Sequence, residues 1–224
     1  MSLVVFGASN ILSDIFDAAL SVGIRPSKVV LHEPQLAEAR SIPLEARVEA
    51  MAEFGGVPEI ILFDEFEPTS GEVYLLGPTT PMRRRLAMDI EARWGLTFCT
   101  LVHRTAYVSP MARLGEGVFV GANSVIAPGT TLERHVFVNR GVTIGHDNQI
   151  GEFTRVQPGA SVGGLSVIGQ GVTIGLGATL LERLRVGDHA IIAGGAVVLA
   201  DVASAVMVAG VPATVRKQIS VLWS

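Results

Sequence analysis

Between residues 108 and 198 an aliphatic side chain recurs at every sixth position: Val108, Leu114, Val120, Ile126, Leu132, Val138, Ile144, Ile150, Val156, Val162, Ile168, Ile174, Leu180, Val186, Ile192 and Val198. None of the sixteen positions breaks the pattern. The residue four places further on is Ala, Val, Ser or Thr in fourteen of the sixteen hexads, the exceptions being Asn148 and Leu184. An amphipathic helix repeats its apolar face about every 3.6 residues and a half-buried strand about every two. A period of six fits neither, and it predicts a parallel β-helix in which each short strand points one aliphatic residue inward and a turn follows. Glycine directly follows the aliphatic residue at 115, 121, 145, 151, 163, 169, 175 and 187. It is read here as the residue that lets the chain bend sharply.

With 224 residues, the chain has room for a second unit before this repeat. Mean hydropathy is high, at +0.46. The most apolar window, residues 190–213, is interrupted by Asp201, Ser204 and Pro212 and keeps the six-residue phase, so it reads as β-helix core and not as a membrane span. The N-terminal residues read directly as a first strand, with no signal peptide expected. The single Cys99 excludes an intrachain disulfide and points to a cytoplasmic protein. A net charge of −4, with Arg83, Arg84 and Arg85 as the main basic cluster, argues against a nucleic-acid partner; the three arginines are read as one solvated helix face.

Ahead of the repeat, residues 3–6 form an apolar run that ends in Gly7-Ala8-Ser9-Asn10. Apolar residues at helical spacing follow, with Ser9 or Asn10 as the expected cap and Gly23 as the expected stop. Further strands are expected at 29–32, 60–63 and 73–76, and a helix at about 82–94. This alternation predicts a small α/β unit with a mostly parallel sheet, whose ligands would bind at the carboxyl ends of its strands. Candidate substrate contacts there are Gly7 and Ser9 in the first turn and Glu33 after the second strand. The glycine pattern of a dinucleotide fingerprint is incomplete. The expected division is an acceptor-binding unit at 1–100, the β-helix at 101–204 and a capping segment at 205–224.

Several stretches make a resemblance specific: IGHDNQIGEF at 144–153, IGLGATL at 174–180, AGGA at 193–196 and GVPA at 210–213. With them the chain resembles the left-handed β-helix sugar O- and N-acyltransferases of the sialic acid O-acetyltransferase and bacillosamine-pathway type. That likeness implies a left-handed coil of three hexads, acetyl-CoA as co-substrate, a sugar or nucleotide sugar as acceptor, and a homotrimer with the coenzyme between neighbouring copies. It is strong in the repeat and poor at the N-terminus. Where the family has a glycine and histidine in a phosphate-binding turn, this chain has Asn10 and Ile11.

The resemblance assigns His146 as general base and Asp147 as its partner. The base chemistry suits an imidazole, since an attacking amine or hydroxyl must lose a proton near neutral pH. Asn148 stands in the same hexad at a position that is otherwise small, which draws attention to this turn. Adding eighteen residues to His146 leads to Gly164, which on such a coil stacks directly over the ring and leaves space for a thioester. The resemblance also places Leu176, Gly177 and Gly194 along the pantetheine arm, and Arg216 and Lys217 near the coenzyme phosphates. The basic pair equally suits an exposed C-terminus. Arg155 replaces a family histidine that contacts the acetyl carbonyl. Zinc-dependent γ-carbonic anhydrases share this kind of β-helix but need a second histidine where Gly151 stands, so no metal site is expected. Other readings are a small-molecule O-acetyltransferase with a different acceptor, or a non-catalytic scaffold that keeps only the solenoid.

Overall fold

The computed structural model describes residues 1–32, 42–81 and 83–220. Strands β1 (Ser2–Phe6), β2 (Arg25–Leu31), β3 (Glu59–Leu62) and β4 (Glu72–Leu76) form a sheet in the order β3-β2-β1-β4. All its pairings are parallel. Helix α1 (Leu12–Ser21) covers one side of the sheet with Leu12, Ile15, Phe16 and Ala19, and helix α3 (Arg83–Trp94) packs on the other side through Leu86 and Ile90. A short helix, α2 (Leu44–Glu49), lies outside the periodic pattern of the sequence and buries only Leu44 and Val48.

Gly23 adopts the left-handed conformation, with φ of 77°, and its N–H bonds the carbonyl of Leu20, so it ends α1 as expected. The expected cap at the other end is absent. Ile11 is the residue at the cap position and makes no side-chain bond there. Ser9 instead donates to the carbonyl of Gly77 at 2.8 Å, and Asn10 accepts from Arg47 at 3.1 Å. Both polar side chains hold neighbouring segments together rather than the helix end.

From Leu101 onward two-residue strands repeat every six residues and pair with the strand eighteen residues away. They stack as three parallel sheets, the faces of a left-handed prismatic β-helix. The first face runs through Leu101, Phe119, Phe137, Arg155, Thr173 and Ile191; the second through Tyr107, Val125, Thr143, Ser161, Thr179 and Val197; the third through Arg113, Thr131, Gln149, Val167 and Arg185. The aliphatic residues of the repeat fill the interior in one cluster with small residues such as Ala160, Val172 and Ala178. Full burial of each Val, Leu or Ile side chain is worth roughly 1.5–3 kcal/mol, which makes this column the main source of cohesion.

The glycines that follow the aliphatic residues do not supply the bend. Left-handed backbone falls two residues later, at Gly117, Asn123, Gly129, His135, Gly141, Asp147 and onward, one residue per turn. The directly following glycines are needed because the next coil passes too close for a side chain: a Cβ on Gly145 would lie 2.7 Å from the backbone nitrogen of Gly164.

Face one is covered. Leu101, Phe119 and Phe137 share a core with Leu12, Ile15 and Phe16 of the α/β unit, and Phe119 and Phe137 stack with their rings 4.8 Å apart. The corners on either side of that face are tied as well, by Arg140 to Asp14, His103 to Asp17, and Arg134 to Glu91. The other two faces and the corner between them carry no part of the α/β unit in these contacts. At the far end Val206–Ala209 extends face one in parallel, and Thr214–Gln218 folds back antiparallel to it. Among the described residues no helix is long and apolar enough to cross a membrane.

Candidate active site

The corner between faces two and three holds His146, placed by the strand Thr143–Ile144 and the turn that follows it. Gly145 fixes the entry to this turn, its carbonyl accepting from the Thr130 hydroxyl and from the Asn148 amide, both at 2.7 Å. Asn148 is fully buried and its carbonyl oxygen accepts the Ser166 N–H at 2.9 Å. It belongs to a ladder of inward polar side chains, Thr130, Asn148 and Ser166, each accepting an N–H from the coil above. Asn148 thus serves the rigidity of the corner and does not touch the histidine ring in these bonds.

Asp147 occupies the left-handed position of the turn, with φ of 56°. Its N–H bonds the carbonyl of Pro128 at 2.9 Å, and its carboxylate lies over Gly129, where a Cβ would collide with it. So held, Asp147 Oδ2 meets His146 Nδ1 at 2.8 Å. An ionised carboxylate only accepts, so the ring proton sits on Nδ1 and Nε2 keeps a free lone pair. Gly164 lies over the face of the ring: a Cβ there would come within 2.8 Å of Nε2 and 3.0 Å of Cδ2 and Cε1. Eighteen-residue stacking is met at this position, since the N–H of Leu165 bonds the His146 carbonyl at 2.9 Å. The Gly164 N–H donates to no carbonyl among the described residues. Both members of the pair are open to solvent, the side chains of His146 and Asp147 being 59% and 57% exposed. The corner thereby combines an imidazole oriented by a carboxylate, a glycine packed on its face and a free backbone donor, a set suited to proton abstraction beside a developing oxyanion.

Other expected site residues lie elsewhere in the chain. Leu176, Gly177 and Gly194 share the corner between faces one and two, with Leu176 exposed and nothing within reach of a Cβ at Gly177. Arg216 and Lys217 stand exposed on the final strand, and Arg216 reaches toward Gly210. Arg155 is on face one, half-buried, its Nε donating to Thr173 Oγ1 at 3.1 Å; within one chain it is not part of the His146 corner. Gly7 has left-handed backbone, with φ of 77°, and packs so tightly against Pro78 that a Cβ would come within 2.8 Å of its ring; both features require glycine here. Glu33 lies outside the described residues. Burial pushes the Cys99 thiol up to about 11, which keeps it protonated and apolar in character.

One expectation about charge fails. Arg83 is buried, Arg84 is half-buried and Arg85 is exposed, so the three do not form a solvated face. Helical spacing alone could not show that the first of them lies where α3 meets the β-helix.

The family described as Bacterial transferase hexapeptide (six repeats) matches residues 111–146. Among the curated proteins none matches the sequence. The acetyltransferase domain of PglB from Neisseria gonorrhoeae FA1090, in complex with acetyl coenzyme A, is 26% identical over 96% of this chain and 98% of its own, with a TM-score of 0.79. A point mutant of the GDP-perosamine N-acetyltransferase from Caulobacter crescentus, in complex with CoA and GDP-perosamine, has the same fold. It is 21% identical over 97% of this chain and 98% of its own, with a TM-score of 0.78. By its repeat, its coil and the α/β unit that precedes it, the chain has the left-handed β-helix architecture of these acetyltransferases and carries a match to the hexapeptide-repeat transferase family over residues 111–146.

Proposed function

We propose that the protein is an acetyl-CoA-dependent acetyltransferase that acylates an amino or hydroxyl group of a sugar, most simply a nucleotide-linked one. The observation that carries this reading is the His146 corner, with Nδ1 bonded to Asp147 at 2.8 Å, the ring packed under Gly164 and the side chain 59% exposed. His146 Nε2 takes the proton of the acceptor as its nitrogen or oxygen attacks the thioester carbon. The Gly164 N–H donates to the oxygen as it becomes negative. Collapse breaks the carbon–sulfur bond, and the proton held on His146 passes to the departing thiolate. Asp147 supports the charged ring throughout. Neither Cys99, which is kept protonated, nor any acyl-enzyme is needed.

The relatives support both substrates, one being solved with acetyl coenzyme A and the other with CoA and GDP-perosamine. Residues 1–100 are the proposed acceptor-binding unit, and the corner with Leu176, Gly177 and Gly194, together with Arg216 and Lys217, the proposed coenzyme track. A homotrimer is part of the same proposal. Tyr107 and Val125 on face two, Val167 on face three and Leu165, Leu181 and Leu199 at the corner between them are exposed apolar residues, and they lie with His146 on the side the α/β unit leaves open. Such a stripe suits contact with further copies of the chain. The lone Cys99 fits a reducing cytoplasm.

Release of thiol from acetyl-CoA in the presence of a panel of amino sugars and nucleotide sugars tests the activity. His146→Ala should lower kcat by about 10² to 10⁴ while acetyl-CoA affinity stays close to that of the wild type. Turnover near the wild-type rate in that variant would exclude His146 as the base.

A further inference from the structure

Left-handed backbone recurs at the corners of the coil, and most of these places hold glycine, asparagine or aspartate, which adopt it at least cost. Where a bulky residue takes the place, burial at the junction with the α/β unit offsets the strain: Phe153 is 5% exposed and His135 1%. Leu165, with φ of 62°, has no such compensation. It is 40% exposed and belongs to none of the three apolar cores of the described residues. Arg183, one coil further on, is a charged side chain that water solvates. Contact with another copy would account for the exposure of Leu165 but not for its backbone, since Leu181 and Leu199 are exposed at the same corner without left-handed φ. Strain kept beside a reacting group points to a task.

The stacking of the coil shows where Leu165 leans. Side chains at the left-handed position lie on the same position of the coil before. The ring of Phe153 stacks on that of His135, eighteen residues earlier, at 4.8 Å. His135 in turn fills the space over Gly117, and the Asp147 carboxylate lies over Gly129. Leu165 follows Asp147 by eighteen residues, on a coil about 4.8 Å away. Its N–H, bonded to the His146 carbonyl at 2.9 Å, fixes that register. Leu165 thus stands over Asp147 as Gly164 stands over the ring of His146. The carboxylate has Gly129 on one side, His146 Nδ1 at 2.8 Å, and an isobutyl group on the coil above. Because the side chain of Asp147 is 57% exposed, water competes with His146 for its oxygens. An apolar group over the carboxylate removes part of that competition and strengthens the bond that remains.

We propose that Leu165 is a positioning residue for acyl transfer, an apolar shoulder over Asp147 that keeps the carboxylate on His146 Nδ1, with the strained backbone as the cost of placing it there. This rests on the reading of His146 as the base. Leu165 touches no reacting atom and acts through Asp147.

Stability and turnover should then move in opposite directions. Leu165→Asn, which suits left-handed backbone, should raise the melting temperature by about 2–4 °C. The same variant should lower kcat about tenfold while KM for acetyl-CoA stays unchanged. Leu165→Met keeps the apolar cover and should keep the rate. In an Asp147→Asn background, Leu165→Asn should cost nothing further, because the residue through which it acts is already gone. A lower melting temperature or a changed assembly mass in Leu165→Asn would make Leu165 a packing or interface residue and overturn the proposal, as would an equal fall of kcat in both backgrounds. If Leu165→Asn misfolds, Leu165→Gly suits the same backbone and must show the same loss of kcat. Nuclear magnetic resonance on the full chain reads the shoulder without turnover. The Nδ1–H signal of His146, identified by its loss in His146→Gln, should exchange with water faster in Leu165→Asn. Faster exchange in a protein whose wild type transfers no acetyl group would sink the transferase reading and leave the shoulder standing. Normal transfer, with exchange and kcat both unchanged in Leu165→Asn, would do the reverse.

Discussion

Gly164 governs the space around His146, the proposed base. A side chain at this residue would collide with the ring face, its Cβ 2.8 Å from Nε2. Gly164→Val should therefore abolish most turnover by displacing the imidazole, while far-ultraviolet circular dichroism and the assembly mass stay unchanged. A folded variant that keeps at least half its turnover would count against His146 as the base. This pair was legible in the sequence because strict eighteen-residue stacking converts residue numbers into neighbours. Other roles were not. Asn148 reads as a functional irregularity, but its amide bonds Gly145 and Ser166 inside the corner, where stacking names the neighbour and not the bond it makes. Arg83 reads as solvated although it is buried at the junction, because its partner His135 lies on the β-helix, which helical spacing does not encode.

Among the elements, the corner between faces three and one shows how a turn position can store a pH dependence. His135 sits at the left-handed site of its turn, with its ring between Phe98 and Phe153 and both ring nitrogens without a partner. Burial first, and then the charges of Arg83 and Arg134, push its pKa down to about 3. The unfolded chain takes up this proton near the ordinary value of about 6.5, so it binds more proton than the folded chain between there and about 3. Stability from this residue is therefore full above about 6.5 and is lost as the pH falls through that window, by at most about 1.4 kcal/mol per pH unit. His135→Phe should flatten this acid limb, and Phe153 shows that phenylalanine occupies the same left-handed position one coil away. Urea denaturation at pH 7 and pH 4.5 measures it; an unchanged difference between the two pH values would show that His135 is not the group involved. Turn sites were only half legible. The six-residue period locates every corner, yet it assigned the bend to the glycines after the aliphatic residues, whereas their role is to let the next coil approach. Backbone sign and inter-coil clearance both favour glycine, and composition alone does not separate them.

For the whole molecule, the distribution of cover matters most. The α/β unit occupies face one and its corners, while His146 stands on the opposite corner with more than half its side chain exposed and exposed apolar residues around it. A site that must exclude water to stabilise an oxyanion is incomplete in this form, which is the physical case for assembly. Three chains of 23.6 kDa would scatter light as a particle of about 71 kDa. Tyr107 and Val125 lie outward on face two, away from the reacting corner, so charging them should spare the fold of the single chain. The double variant Tyr107→Lys, Val125→Lys should sediment as a monomer, keep its circular dichroism spectrum and lose most of its acetyl transfer, because neighbouring copies no longer close the corner. If the wild type is itself a monomer, or if the monomeric variant turns over at the full rate, the site is complete within one chain and the exposed stripe serves another purpose. A variant that stays trimeric would instead move the interface off face two, toward Val167 and the remaining face.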